Sequence, residues 1–190
     1  MKKLIFCILF ALLIGSAIGS EKPKHEYRYG DKGYFGTVRA GYTMWSTTKV
    51  WAPAIDVEVI NGYSFNPWFM LGGGVGITHI HFPGKITSAK ENRCAVNIPL
   101  YLHLRTNILD RKVSPIVALN LGGQLYKGYL PKGFGNYEVE NCTNILPYTE
   151  LQLGAAVRLK GGKMIDFGFS VPGFCHLLAN GLKFSFGYTW

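Results

Sequence analysis

Beyond residue 20 the chain has no apolar run near the roughly 18 residues that a membrane-spanning helix needs, so no transmembrane helix is expected. Cysteine is scarce. Cys7, Cys94, Cys142 and Cys175 are the whole supply, with no CxxC pair and no Cys/His cluster, which excludes the usual structural zinc frameworks. There is no Gly-x-Ser-x-Gly nucleophile elbow and no long stretch of helical periodicity. No cofactor is expected.

What is present begins with a leader. MKKLIFCILFALLIGSAIGS has a basic start at Lys2 and Lys3, an apolar run from Leu4 to Ile14 and small residues after it. Residues 1–20 therefore read as a secretory signal peptide, cut after Ala17 or Gly19. Residues 21–32 are charged and unpatterned, and are expected to form a mobile N-terminal arm. The formal charge of +9 includes Lys2 and Lys3, so the chain without them carries +7. For an exported chain this favours anionic lipid headgroups and lipopolysaccharide as partners, and no nucleic acid.

The 190 residues include 24 glycines and 14% aromatics, a composition typical of all-β proteins. From Tyr34 onward, segments of alternating character follow one another. They run Tyr34–Ser46, Ala54–Phe65, Trp68–Phe82, Arg93–Asn107, Pro115–Lys127, Pro147–Lys160, Lys163–Val171 and Leu182–Trp190. Globular strands average about five or six residues, whereas a tilted strand crossing a bilayer needs roughly nine to eleven. These segments have the longer length. The connections alternate too. Asn66-Pro67, Asn107–Ser114 and Lys160–Lys163 are short; Thr47–Pro53, Pro83–Asn92, Gly128–Leu146 and Pro172–Asn180 are mostly longer. Short turns on one side and longer loops on the other describe an outer-membrane barrel whose termini lie on the short-turn side. The expected fold is all-β, an eight-stranded antiparallel transmembrane β-barrel over residues 33–190.

Lipid offers no hydrogen bonds, so strands can cross only as a closed barrel. The apolar face then meets lipid and the polar face points inward. The inward set holds Arg39, Arg105, Arg158 and Lys183 against Asp56, Glu58, Glu150 and Asp166. Eight strands enclose a space that side chains can fill, and buried charges need partners. A salt-bridged plug is expected, with a narrow ion path as the alternative. Aromatics near segment ends (Tyr34, Trp45, Trp51, Tyr63, Trp68, Phe69, Tyr126, Tyr148, Phe184, Tyr188 and Trp190) suggest interfacial girdles.

GYSFNPWFMLGGGVGI, NIPLYLHLRTNILDRKVSPIVALNLGGQLY and the terminal LKFSFGYTW resemble the porin-like outer-membrane β-barrel proteins of Bacteroidota, which share their architecture with OmpX- and OmpA-type barrels. The resemblance covers about Tyr34 to Trp190. It implies a last strand read by the barrel-assembly machinery, with Phe184, Phe186, Tyr188 and Trp190 as the signal and Trp190 where Phe is usual. It carries little about activity. Some eight-stranded barrels are lipid A-modifying enzymes, which require a nucleophile or base near the outer rim. The candidates are His79, His81, Ser88, Ser170 and His176, but they form no triad. His79 and His81 share a face and lack a third metal ligand. Cys94, Cys142 and Cys175 all map to the loop side. A disulfide, Cys94 to Cys142 first among the pairings, and three free thiols both fit the sequence. The expected role is a small integral outer-membrane protein, structural or contacting ligands through its outer loops.

Overall fold

The computed structural model describes residues 33–47, 50–82, 93–131, 139–173 and 180–190. The expected leader (residues 1–20) and N-terminal arm (residues 21–32), with Ser88, Cys175 and His176, fall outside them. In chain order the strands are β1 (Gly33–Thr47), β2 (Val50–Asn66), β3 (Phe69–Phe82), β4 (Arg93–Asn107), β5 (Val113–Pro131), β6 (Val139–Arg158), β7 (Met164–Pro172) and β8 (Asn180–Thr189). Each pairs antiparallel with the next, and β8 returns to β1, closing the barrel. A single 3-10 turn, residues 160–162, is the only helical element among the described residues.

Closure follows from the alternation. An apolar strand edge left open in lipid would strand its backbone donors, so the last strand must find the first. The seam runs from Thr37 opposite Thr189 to Ser46 opposite Asn180. On its inner side the Thr37 and Thr189 hydroxyls are hydrogen-bonded at 2.7 Å.

The burial pattern inverts that of a soluble sandwich. Ile55, Leu100 and Phe169 are 65%, 68% and 56% exposed, while Arg39, Glu58 and Asp166 are at 1%, 2% and 0%. Apolar residues form the skin and charged residues the centre. Two apolar layers bracket that centre. Phe35, Ile60, Met70, Ile116 and Met164 fill the lumen toward the short-turn end. Ala52, Ala54, Ile80, Ala95 and Tyr126 fill it toward the other.

The short turns are built by side chains. Asn66 Oδ1 accepts the backbone N–H groups of Trp68 (2.9 Å) and Phe69 (2.7 Å), an Asx turn ahead of β3. The Ser114 hydroxyl accepts the Leu109 N–H at 3.0 Å between β4 and β5.

Three expectations change. The Thr47–Pro53 loop is mostly strand, because β2 begins at Val50. Gly128–Pro131 and Val139–Leu146, expected as loop, are strand: β5 and β6 stay paired out to Pro131 opposite Val139. This hairpin outruns its neighbours, since β6 pairs with β7 only from Glu150 opposite Pro172. Tyr126 and Tyr148, expected in the girdles, are buried in the lumen at 6% and 4% exposure. They share the inward parity of Gln124 and Glu150, and parity decides the face. Gly128 adopts a φ of +147°, and an added Cβ would lie 2.3 Å from that of Ala95, so β4 and β5 meet here only around a glycine.

Candidate functional site: the charged lumen

Lys183 is the hub. It extends from β8 to Asp56 Oδ1 at 2.7 Å, Glu58 Oε1 at 2.5 Å and Glu150 Oε1 at 3.5 Å. Each carboxylate has further donors, as buried charges require. The Thr43 hydroxyl donates to Asp56 at 3.0 Å. The Tyr101 phenol donates to Glu58 at 2.9 Å. Glu150 receives the Tyr148 phenol (2.6 Å), the Ser170 hydroxyl (2.5 Å) and the Asn120 amide (2.9 Å). With the Asn120 amide oriented this way, its oxygen accepts from His103 Nδ1 at 2.6 Å. Two glycines make room. A Cβ on Gly41 would stand 2.5 Å from Asp56 Oδ1, and one on Gly187 would stand 2.7 Å from Asp166 Oδ1.

A second cluster lies beside the first. Arg105 Nη1 donates to Asp166 Oδ2 at 2.9 Å, and its Nε donates to Asn107 at 3.3 Å. Arg39 bridges the two clusters, 3.7 Å from Glu58 and 3.8 Å from Asp166. Its guanidinium is held by charge at these distances, beyond hydrogen-bond length.

Seven of the eight expected lumen charges meet in this way. Arg158 does not. It is buried at the short-turn end, bonded to Asp110 and, at 3.3 Å, to the Leu109 carbonyl. Asp110 carries no mark of this role in the sequence, because a charge in a turn gives no alternation signal. The lumen therefore sets three cations (Arg39, Arg105, Lys183) against four carboxylates (Asp56, Glu58, Glu150, Asp166). Tyr101, His103 and Asn120 have inward parity in the sequence, yet only the structure shows that Tyr101 and Asn120 donate to carboxylates and that His103 backs Asn120.

The remaining candidates are placed as follows. Of the two readings left open for the cysteines, the structure has Cys94 as a free, exposed thiol, not paired with Cys142. The reason is topological. Cys142 lies opposite Gly128 of β5, and β5 separates it from β4. Two strand spacings of about 4.8 Å exceed the roughly 7 Å Cα separation that a disulfide tolerates. His79 is exposed on the outer wall, while Ser170 is inside on Glu150. His81 Nδ1 is 3.9 Å from the Cys94 thiol. Among the described residues no group of three or more His, Cys, Asp or Glu is placed to hold a metal.

Trp190 extends the β1–β8 seam at the short-turn end, half exposed on the outer face. Its N–H donates to the Gly36 carbonyl at 3.0 Å, and its carbonyl accepts from Gly36 at 3.2 Å. Its indole covers Gly36, where a Cβ would come within 2.5 Å of the ring. Leu182, Phe184, Phe186 and Tyr188 line the outer face above it.

A closed eight-stranded barrel with an apolar skin and a charged, filled interior is the fold of the small outer-membrane β-barrels. Neisserial surface protein A superposes with a TM-score of 0.61 at 12% identity, over 84% of this chain and 98% of that one. Ail, the attachment invasion locus protein of Yersinia pestis, solved in complex with the heparin analogue sucrose octasulfate, superposes at 0.56. It too is 12% identical, over 85% of this chain and all of that one. At such identities the likeness is one of fold. No protein-family model matches the chain, and no curated protein matches it in sequence.

Proposed function

We propose that the chain is an integral outer-membrane protein whose lumen is sealed, with a role in the envelope or in contacts at the cell surface. The observation that carries this is the interior. Lys183, Arg39 and Arg105 are locked among four carboxylates, and an apolar layer lies on each side of them. An ion entering such a lumen would have to pass both apolar layers and break buried ion pairs. The outer wall supports membrane insertion: β1 to β8 present exposed Val, Ile, Leu and Phe side chains at alternate positions. On this reading the termini and short turns face the periplasm, and Trp190 lies at the periplasmic interface with the other aromatics of the assembly signal. Outer-membrane lipid and lipopolysaccharide surround the wall. The paired β5–β6 hairpin stands on the outer side, with Ile145 83% exposed, where an extracellular ligand would be met.

Purified protein reconstituted in planar bilayers should give no stable single-channel conductance. Discrete, reproducible conductance steps from the unmodified protein would refute the sealed lumen and favour a narrow channel.

A further inference from the structure

The short-turn end is divided in two. Its β1, β2, β3 and β8 side carries exposed aromatics, with Tyr34 74%, Trp68 55% and Trp190 50% exposed. Its β4–β5 and β6–β7 side carries exposed cations instead: Arg111 and Lys112 in one turn, Lys160 and Lys163 in the other. The two turns are neighbours. The Lys112 carbonyl accepts the Arg158 N–H at 2.8 Å, and the Lys163 carbonyl accepts the Leu159 N–H at 2.8 Å. The acid among these turns, Asp110, is bonded to Arg158.

The cations begin where the apolar wall stops. Lys112 adjoins Val113, which is 41% exposed, and Lys160 adjoins Leu159, which is 37% exposed. A soluble partner would not need them at this height. A lysine one residue beyond the hydrocarbon boundary keeps its stem on the apolar surface and its ammonium at the level of lipid phosphates.

We propose that Lys112, Lys160 and Lys163 form a binding edge for anionic phospholipid headgroups in the leaflet at the short-turn end, leaving the aromatic half to neutral lipid. This rests on the membrane reading above. It gives the barrel an annulus with two lipid preferences at one rim.

The test uses the full mature chain refolded into vesicles of phosphatidylcholine alone and of phosphatidylcholine with phosphatidylglycerol. Insertion is read by protease protection, and retained lipid by native mass spectrometry after mild extraction. Wild type should keep phosphatidylglycerol at about ten-fold or more above the triple variant K112Q/K160Q/K163Q, with the difference abolished by high salt. The three side chains are exposed, and equal heat-modifiable gel mobility will show that the variant folds. Equal enrichment in variant and wild type, or none in either, overturns the inference while leaving insertion intact. Displacement by millimolar inorganic phosphate overturns it in favour of a free-phosphate site. Lysine-dependent peptidoglycan binding without lipid enrichment overturns it in favour of a wall contact. Failure to insert into either lipid overturns the membrane reading and this inference together.

Discussion

Replacing Lys183 by methionine keeps most of the side-chain volume and removes the charge that three carboxylates share. Asp56 and Glu58 would lose contacts of 2.7 and 2.5 Å, and Glu150 one of 3.5 Å. The nearest remaining cation is Arg39, 3.7 Å from Glu58. Removing one member of a buried ion pair costs about 3–5 kcal/mol, because the partner is left charged and dry. Here the lumen already has one more carboxylate than cations, so K183M widens the excess to two. The upper half of that range is expected. For a urea slope of about 1–3 kcal/mol per molar, the unfolding midpoint should fall by at least about 1 M. Glu58→Gln is the informative comparison. It loses one acceptor of Lys183 and of Tyr101 but brings the lumen to three against three, so it should cost about 1–2 kcal/mol. Urea titration of the refolded protein in detergent, followed by tryptophan fluorescence and gel mobility, measures both. A K183M variant within about 0.5 kcal/mol of wild type would refute a dry, paired lumen. Equal costs for the two variants would refute the charge excess.

Gly41→Val should destabilise by about 2 kcal/mol or more, since its Cβ meets Asp56 Oδ1 at 2.5 Å and Lys183 Cε at 2.7 Å; thermal melts of the refolded barrel will show it. Gly36→Leu should hinder assembly as strongly as deletion of Trp190, because its Cβ would occupy the space of the indole at 2.5 Å; refolding yield in vesicles is the readout. Asp110→Asn should cost about 1 kcal/mol or less by urea titration, as Asp110 is 42% exposed and the pair is partly screened. Unreduced folded protein should be alkylated at Cys94 by a polar maleimide, seen as one mass adduct on the peptide that contains it, since the thiol is free and exposed.

The barrel was legible because two independent signals agreed. Alternation placed Val57 and Val59 on one face and Asp56 and Glu58 on the other, and the strand lengths exceeded those of a soluble sheet. β4 matches its expected bounds, Arg93–Asn107, because Asn107 ends the alternation where the turn begins. The errors lie where alternation competes with another rule or falls silent. Tyr126 and Tyr148, aromatic and near segment ends, carry a girdle signal, while their parity points inward. Arg158 has inward parity as well, but at a strand end an inward side chain reaches the turn, and Asp110 was there to receive it. The β5–β6 extension was hidden by the glycines and prolines around it, which read as loop. Which carboxylate takes which donor depends on the shear of the barrel, a relation between strands that no single strand encodes.

The charged lumen also bears on why the chain folds one way round. A strand with period two has only two choices of face, and a slip of one residue exchanges them. Were the interior apolar like the exterior, the two choices would differ little in lipid. With Asp56, Glu58, Glu150 and Asp166 on four inward positions, a flipped strand would carry a charge into hydrocarbon. The cost for lysine or arginine at the midplane of a barrel wall is about 2–4 kcal/mol. Lys183 makes the point most sharply, because β8 is the strand whose pairing with β1 closes the barrel. In the right register its ammonium falls among three carboxylates; one residue off, it faces lipid and Phe184 and Phe186 turn inward onto charges. A buried ion pair adds little stability over a well-packed apolar core. Its contribution here is to make the wrong face expensive at each strand in turn, and most so at the seam.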